Sequence, residues 1–289
     1  MRRRHTIALA LAAGIALVAS PGAAAPVATT IDSLTAQADG LVVNIAGTAT
    51  LGGDEVVVGT DATNDNIGGA NTASLGLDLL SASVGQPDPS KPDLVFTLKL
   101  NGMTAGGIPE LVGYNWDIRV DGTVWRLTSM RTRALVTQNA EPYAALFTCT
   151  AGAGGTSTCT QNKLLPVTYT EDGSIAITLP MVDVAANPGS VIEAGAAVPI
   201  GISGTVAGRV SITNLFDTMT HEPYTVPTAS ARIGLAPAGT TPNFATGVAM
   251  SGGGFAGSLT APAAGAYTAG AQVCFGTNCA TQTVDVTAG

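Results

Sequence analysis

Apolar and polar residues alternate with a period of two along most of this chain. Leu41-Val42-Val43-Asn44-Ile45 and residues 93–100 and 174–179 show the pattern, with Gly, Asn, Asp or Pro between such runs. A strand turns successive side chains to opposite faces, so this alternation predicts antiparallel strands with one face on a core. After the first two dozen residues no window carries a helical apolar stripe, although 81–84 and 229–235 are ambiguous between strand and helix. Many short strands separated by turn residues predict an all-β chain built as a β-sandwich.

Two hairpins can be placed in register. Asp121-Gly122 stands between strand-like runs, and this dipeptide favours a two-residue type I′ turn, whose central positions both need positive φ. The turn sets Val120 opposite Thr123, Ile118 opposite Trp125 and Trp116 opposite Leu127, while Asp117 meets Arg126 on the other face. Large apolar residues then share one face and the charges share the other, as a half-buried sheet requires. A second hairpin closes around the tip Phe275-Gly276-Thr277-Asn278, between Cys274 and Cys279. Its register sets Val273 against Ala280, Ala269 against Val284 and Tyr267 against Val286, with Gln272, Thr281, Thr268 and Asp285 on the cysteine face.

The first 24 residues follow a different rule. Arg2, Arg3 and Arg4 precede an apolar stretch over 7–19, and Ser20-Pro21-Gly22-Ala23-Ala24-Ala25 supplies small residues for cleavage. That order is the secretory signal pattern, and the apolar stretch is shorter than the ~20 residues of a membrane span. We therefore expect residues 1–24 to be a signal peptide and the protein to be secreted, extracellular or at the cell surface, with no membrane span after cleavage. Without Arg2, Arg3 and Arg4, nine basic residues face 20 acidic ones, a net charge of −11. That balance opposes a nucleic-acid partner. Charged residues are only 11% of the chain and hydrophobic ones 46%, which argues for a packed core. All four cysteines lie beyond residue 24 in two local pairs, Cys149 with Cys159 and Cys274 with Cys279, and in an oxidising compartment these read as disulfides.

Pro262-Ala263-Ala264-Gly265-Ala266-Tyr267, followed by Val273-Cys274, resembles the last strands of an immunoglobulin-like domain, where a Gly-x-Tyr step starts the penultimate strand. The resemblance covers 229–289 and implies a small sandwich of the kind that bacterial surface proteins carry as spacers or adhesive tips. It departs from the antibody pattern, with no cysteine on an earlier strand and no tryptophan in this part. The Asp/Asn-rich run at 60–66 makes the preceding region look like secreted bacterial β-sandwich modules. Residues 94–100 and 114–127 make it loosely similar to DOMON-type and other carbohydrate-binding sandwiches. We expect an N-terminal antiparallel β-sandwich over 25–228 and an Ig-like β-sandwich over 229–289. The stretch from Pro223 to Pro227 is the expected linker.

Candidate chemistry is sparse. Asp61, Asn64, Asp65 and Asn66, with Asp54 and Glu55 nearby, could offer calcium hard oxygen ligands, yet the run fails the EF-hand spacing and Asx turns explain the same composition. His221 is the one histidine beyond residue 24, with Asp217 before it and Glu222 beside it. It is the only candidate for a triad, and no nucleophile motif accompanies it. The acidic residues single out no pair for glycoside hydrolysis. Trp116, Trp125 and Tyr114 could stack on a sugar, but the hairpin register puts them on the apolar face, where aromatics usually form core. The expectation is a non-catalytic structural, adhesive or binding protein without a cofactor other than possible calcium. A calcium-dependent carbohydrate-binding module, with a glycan or cell-surface component as partner, is the alternative, and a hydrolase is the distant one.

Overall fold

The computed structural model describes residues 27–62, 78–101, 112–120, 122–133, 140–151, 157–170, 173–194, 200–202, 219 and 222–289. The expected signal peptide at 1–24 lies outside them. Both ambiguous segments, 81–84 and 229–235, are strands. The described chain is nearly all β and forms four antiparallel sheets around two apolar cores.

The larger core lies between two of these sheets. One runs β10 (Val167–Tyr169), β11 (Ser174–Pro180), β5 (Asp93–Asn101), β4 (Asp78–Gln86), β3 (Asp54–Thr60). The other runs β14 (Tyr224–Thr225), β12 (Val191–Ala194), β6 (Val112–Val120), β7 (Thr123–Arg133), β8 (Ala140–Ala151), β9 (Ser157–Leu165), and β13 (Ile200–Ile202) also pairs with β6. Period-two alternation is visible in β5, where Leu94, Phe96, Leu98 and Leu100 are buried and the residues between them are not. The same holds on β6, whose Tyr114, Trp116, Ile118 and Val120 all enter the core.

The β6–β7 hairpin has the expected register at each of the four pairs, and Gly122 supplies φ 82° in its turn. Trp116 is 1% exposed and meets the Phe96 ring edge-on, centroids 4.9 Å apart. T-shaped contact of this kind adds to what burial alone gives. Trp125 reaches the rim of the same core and is only half-buried. On the opposite face Asp117 accepts two hydrogen bonds from Arg126, at 2.6 and 2.8 Å. This bidentate bond raises the Arg126 pKa above its ordinary value.

The smaller core joins the two ends of the chain. One sheet runs β1 (Thr30–Asp39), β2 (Val42–Thr50), β18 (Gly254–Thr260), β17 (Met250–Ser251), and the facing sheet runs β16 (Thr246–Val248), β15 (Ala229–Pro237), β19 (Gly265–Phe275), β20 (Asn278–Ala288). Val43, Ile45 and Ala49 of β2 pack with Phe255, Ile233, Tyr267, Ala269, Ala271 and Val273. The division expected at residue 228 therefore misplaces residues 30–50, which share sheet and core with 229–289. The physical reason is the pairing of β2 with β18, which sets Val43 opposite Leu259 and Ile45 opposite Gly257. The region between, from Asp54 to Val226, emerges from this terminal sandwich and returns to it.

The expected linker is also packed. Tyr224 and Val226 are buried, and Tyr224–Thr225 adds an edge strand to β12. Their side chains fill the core because Val191 and Ile192 hold the backbone there by ladder bonds. Near the start of β19 the Tyr267 hydroxyl donates to Ala263 O at 2.8 Å, tying the strand to the turn before it.

Replacing Trp116 by alanine removes a fully buried ring and leaves a cavity, so it should lower stability by about 3–5 kcal/mol in urea unfolding. A loss below about 1 kcal/mol would mean that the ring is not a core element.

Candidate functional site

The hairpin of β19 and β20 ends in a two-residue turn, Gly276–Thr277, with Phe275 paired to Asn278. The register is the one expected, with Val273 facing Ala280, Ala269 facing Val284 and Tyr267 facing Val286. Cys274 and Cys279 face each other across it, their Cα atoms 4.1 Å apart and their sulfurs joined. Cys149 and Cys159 form the equivalent bridge between β8 and β9. Glycine with positive φ at the first turn position suits the type II′ hairpin, and Gly276 has φ 58°.

This tip docks against the larger sandwich. Asp54, the first residue of β3, is 3% exposed. Its Oδ1 accepts from the Thr277 backbone N–H at 2.9 Å and from the Thr277 hydroxyl at 2.6 Å. Asn278 extends the contact, donating from Nδ2 to Gly53 O and Val27 O at 2.8 Å each and accepting the Thr29 N–H at 3.0 Å. Gly276 must be glycine for a second reason: a Cβ there would stand 2.6 Å from Asp54 Cγ.

Tyr224 completes the cluster from the far side, its hydroxyl 3.5 Å from Asp54 Oδ2. Burial first, and the neighbouring Asp54 charge second, push the Tyr224 hydroxyl pKa well up, against the opposing pull of the Gln86 backbone N–H. Burial pushes Tyr114 up in the same way, with Tyr169 adding to it. Between these groups lies a cavity of about 330 Å³, lined by Asp54, Val56, Tyr224, Pro227, Ser230 and Thr277 among others. Residues from both sandwiches meet in it.

The sequence candidates that lie among the described residues stand apart from one another. Asp54 and Glu55 alternate to opposite faces of β3, and Glu55 accepts the Ser83 hydroxyl at 2.6 Å instead. Asp61 follows the same strand and caps its own neighbour, accepting the Ala62 N–H at 2.9 Å. Asn64, Asp65 and Asn66 lie outside the described residues, as do Asp217 and His221. Glu222 is exposed and holds Val58 O through its backbone N–H. Among the described residues no three His, Cys, Asp or Glu side chains gather as a metal cage. Tyr114 and Trp116 are core residues, so no stacking platform forms from them. The junction was legible only in part: Asp54 stood out as an acid near the Asp/Asn run, whereas its partner Thr277 is 223 residues away. No protein-family model and no curated protein matches the chain.

Two measurements check this cluster. Gly276→Ala and Gly239→Ala both place a side chain at positive φ, but a Cβ at Gly239 meets nothing within 4 Å. Gly239→Ala should cost about 1–2 kcal/mol for backbone strain alone, and Gly276→Ala clearly more in the same urea series; equal costs would mean that the tip does not press on Asp54. Tyrosines whose folded pKa is raised add stability below their ordinary value of about 10 and lose it as pH climbs beyond. The protein should therefore unfold on alkaline titration above about pH 10, with tyrosinate absorbance appearing alongside the loss of near-ultraviolet dichroism. Ionisation of all tyrosines near pH 10 in a folded protein would contradict the burial of Tyr114 and Tyr224.

Proposed function

We propose that this is an exported, non-catalytic protein whose two sandwiches serve a structural or adhesive role at the cell surface or outside the cell. One observation carries the reading: Tyr114 and Trp116, two of the three aromatics that could grip a sugar, are buried in the core, and Trp125 is half-buried at its rim. A binding module would need such rings exposed beside polar groups. Export is supported by the two disulfides. Among the described residues no helix is long and apolar enough to cross a membrane.

The terminal sandwich carries the proposal of immunoglobulin-like kinship further than sequence could. Lettered in chain order, its strands run A-B-E-D against C′-C-F-G, which is the immunoglobulin arrangement with one added edge strand. The Tyr267–Ala263 bond supports it too, as the tyrosine corner of such domains. On this reading the larger sandwich is inserted between the second and third strands of an immunoglobulin-like module. The module then acts as a base, and the inserted sandwich is what it presents.

A glycan array together with hydrolysis assays on esters, peptides and glycosides tests the role. We expect neither glycan binding nor turnover. Turnover abolished by His221→Ala in a folded protein would overturn the non-catalytic reading, and glycan binding lost on Trp125→Ala would replace it with a carbohydrate-binding one.

A further inference from the structure

Asp54 is a buried carboxylate that no counter-ion reaches among the described residues. Among the described residues the ion pairs join Lys91 to Asp88, Arg119 to Glu193, Arg126 to Asp117 and Lys163 to Asp183, and none reaches Asp54. Its Oδ1 is engaged twice by Thr277, and the one hydrogen bond to Oδ2 among the described residues comes from the more distant Tyr224 hydroxyl. Buried charges are ordinarily paired or bound to metal, because leaving water is costly for an isolated carboxylate. Asp54 also lines the junction cavity, where the Ser230, Thr277 and Tyr224 side chains stand beside the apolar walls of Val56 and Pro227. Apolar walls with a few polar groups, in about 300–1,000 Å³, are the ordinary form of a small-ligand site.

We propose that this cavity binds an organic ammonium ion, the group carried by lysine side chains and small alkylamines, with Asp54 as its counter-ion. The choice of cation follows from the geometry. A guanidinium prefers both oxygens of a carboxylate, and Thr277 already occupies one. Calcium takes six to eight oxygen ligands, and no second carboxylate joins Asp54 among the lining residues. An ammonium is a compact point charge that can be satisfied by one carboxylate oxygen and hydroxyls such as that of Ser230. Its alkyl stem would lie on Val56 and Pro227, as lysine stems lie on apolar surface elsewhere. The ligand would touch both sandwiches, so its binding would hold them together.

The test uses the protein with n-butylammonium and with Nα-acetyl-lysine methylamide, and Nα-acetyl-norleucine methylamide as the uncharged counterpart. Binding is read by calorimetry and by the shift in melting temperature. Either ammonium should bind and raise the melting temperature, while the norleucine compound should not. Asp54→Asn should weaken binding by about tenfold or more, since the interaction is with a charged partner. Ser230 is exposed on β15, so Ser230→Leu should fill the cavity mouth and abolish binding without altering the fold. That variant decides the matter if Asp54→Asn fails to fold. Tighter binding of the lysine compound points to a peptide or protein source, and tighter binding of butylammonium to a free amine. The proposal is overturned if neither ammonium binds at about 10 mM, the range of the weakest specific contacts. It is also overturned if the norleucine compound binds equally or if Ser230→Leu leaves binding intact.

Discussion

Val43, Ile45 and Ala49 can leave water only if another sheet covers them, and the covering residues come from beyond residue 229. The ladder between β2 and β18 makes this possible by joining Asn44 to Ser258, 214 residues apart. Loop-closure entropy grows only with the logarithm of the intervening length, so a long excursion adds modestly to what a short one would cost. It adds less still when the excursion folds into its own core, as residues 54–226 do. Everything else in the arrangement follows: the chain must leave and re-enter the terminal sandwich, and both crossings fall where Gly52, Gly53 and Thr228 sit. The two glycines fit there because a Cβ on Gly52 would meet Val27 O at 1.8 Å and one on Gly53 would meet Pro87 O at 2.2 Å.

The junction shows how a small covalent constraint can serve a long-range contact. Closing the five-residue separation of Cys274 and Cys279 removes little chain entropy. The bridge closes the hairpin beside the tip, where Thr277 presents its N–H and hydroxyl to the same carboxylate oxygen. Hydrogen bonds to a charged acceptor are stronger than neutral ones, and a buried acceptor makes them costlier to break. Asp54 thereby holds the larger sandwich on the smaller one with few residues.

What the sequence made legible was local. The β6–β7 and β19–β20 registers could be read because turn chemistry and facial pattern agreed within some twenty residues of each other. The alternation in 30–50 likewise marked strands, but alternation says only that a face is buried, never against which sheet. That is why β1 and β2 were placed with the wrong core. The prolines at 223 and 227 read as linker because ring-locked residues without N–H groups interrupt strands, and only the tertiary contacts of Tyr224 and Val226 fill that segment into a core. The partnership of Asp54 with Thr277 had no local signal at all. The Asp/Asn run drew attention to the neighbourhood for its composition, and the acid that matters in the fold is the one that alternation turned inward.

The orientation of β1 beside β20 has a mechanical consequence. Thr29, before β1, bonds Asn278 at the start of β20, while Gly40, after β1, accepts the N–H of Gly289 beyond its end. The two strands therefore run parallel, and chain entering before Thr30 lies at the opposite end from chain leaving after Ala288. Tension pulling those ends apart slides β1 along its neighbours and loads many contacts at once, instead of peeling them singly.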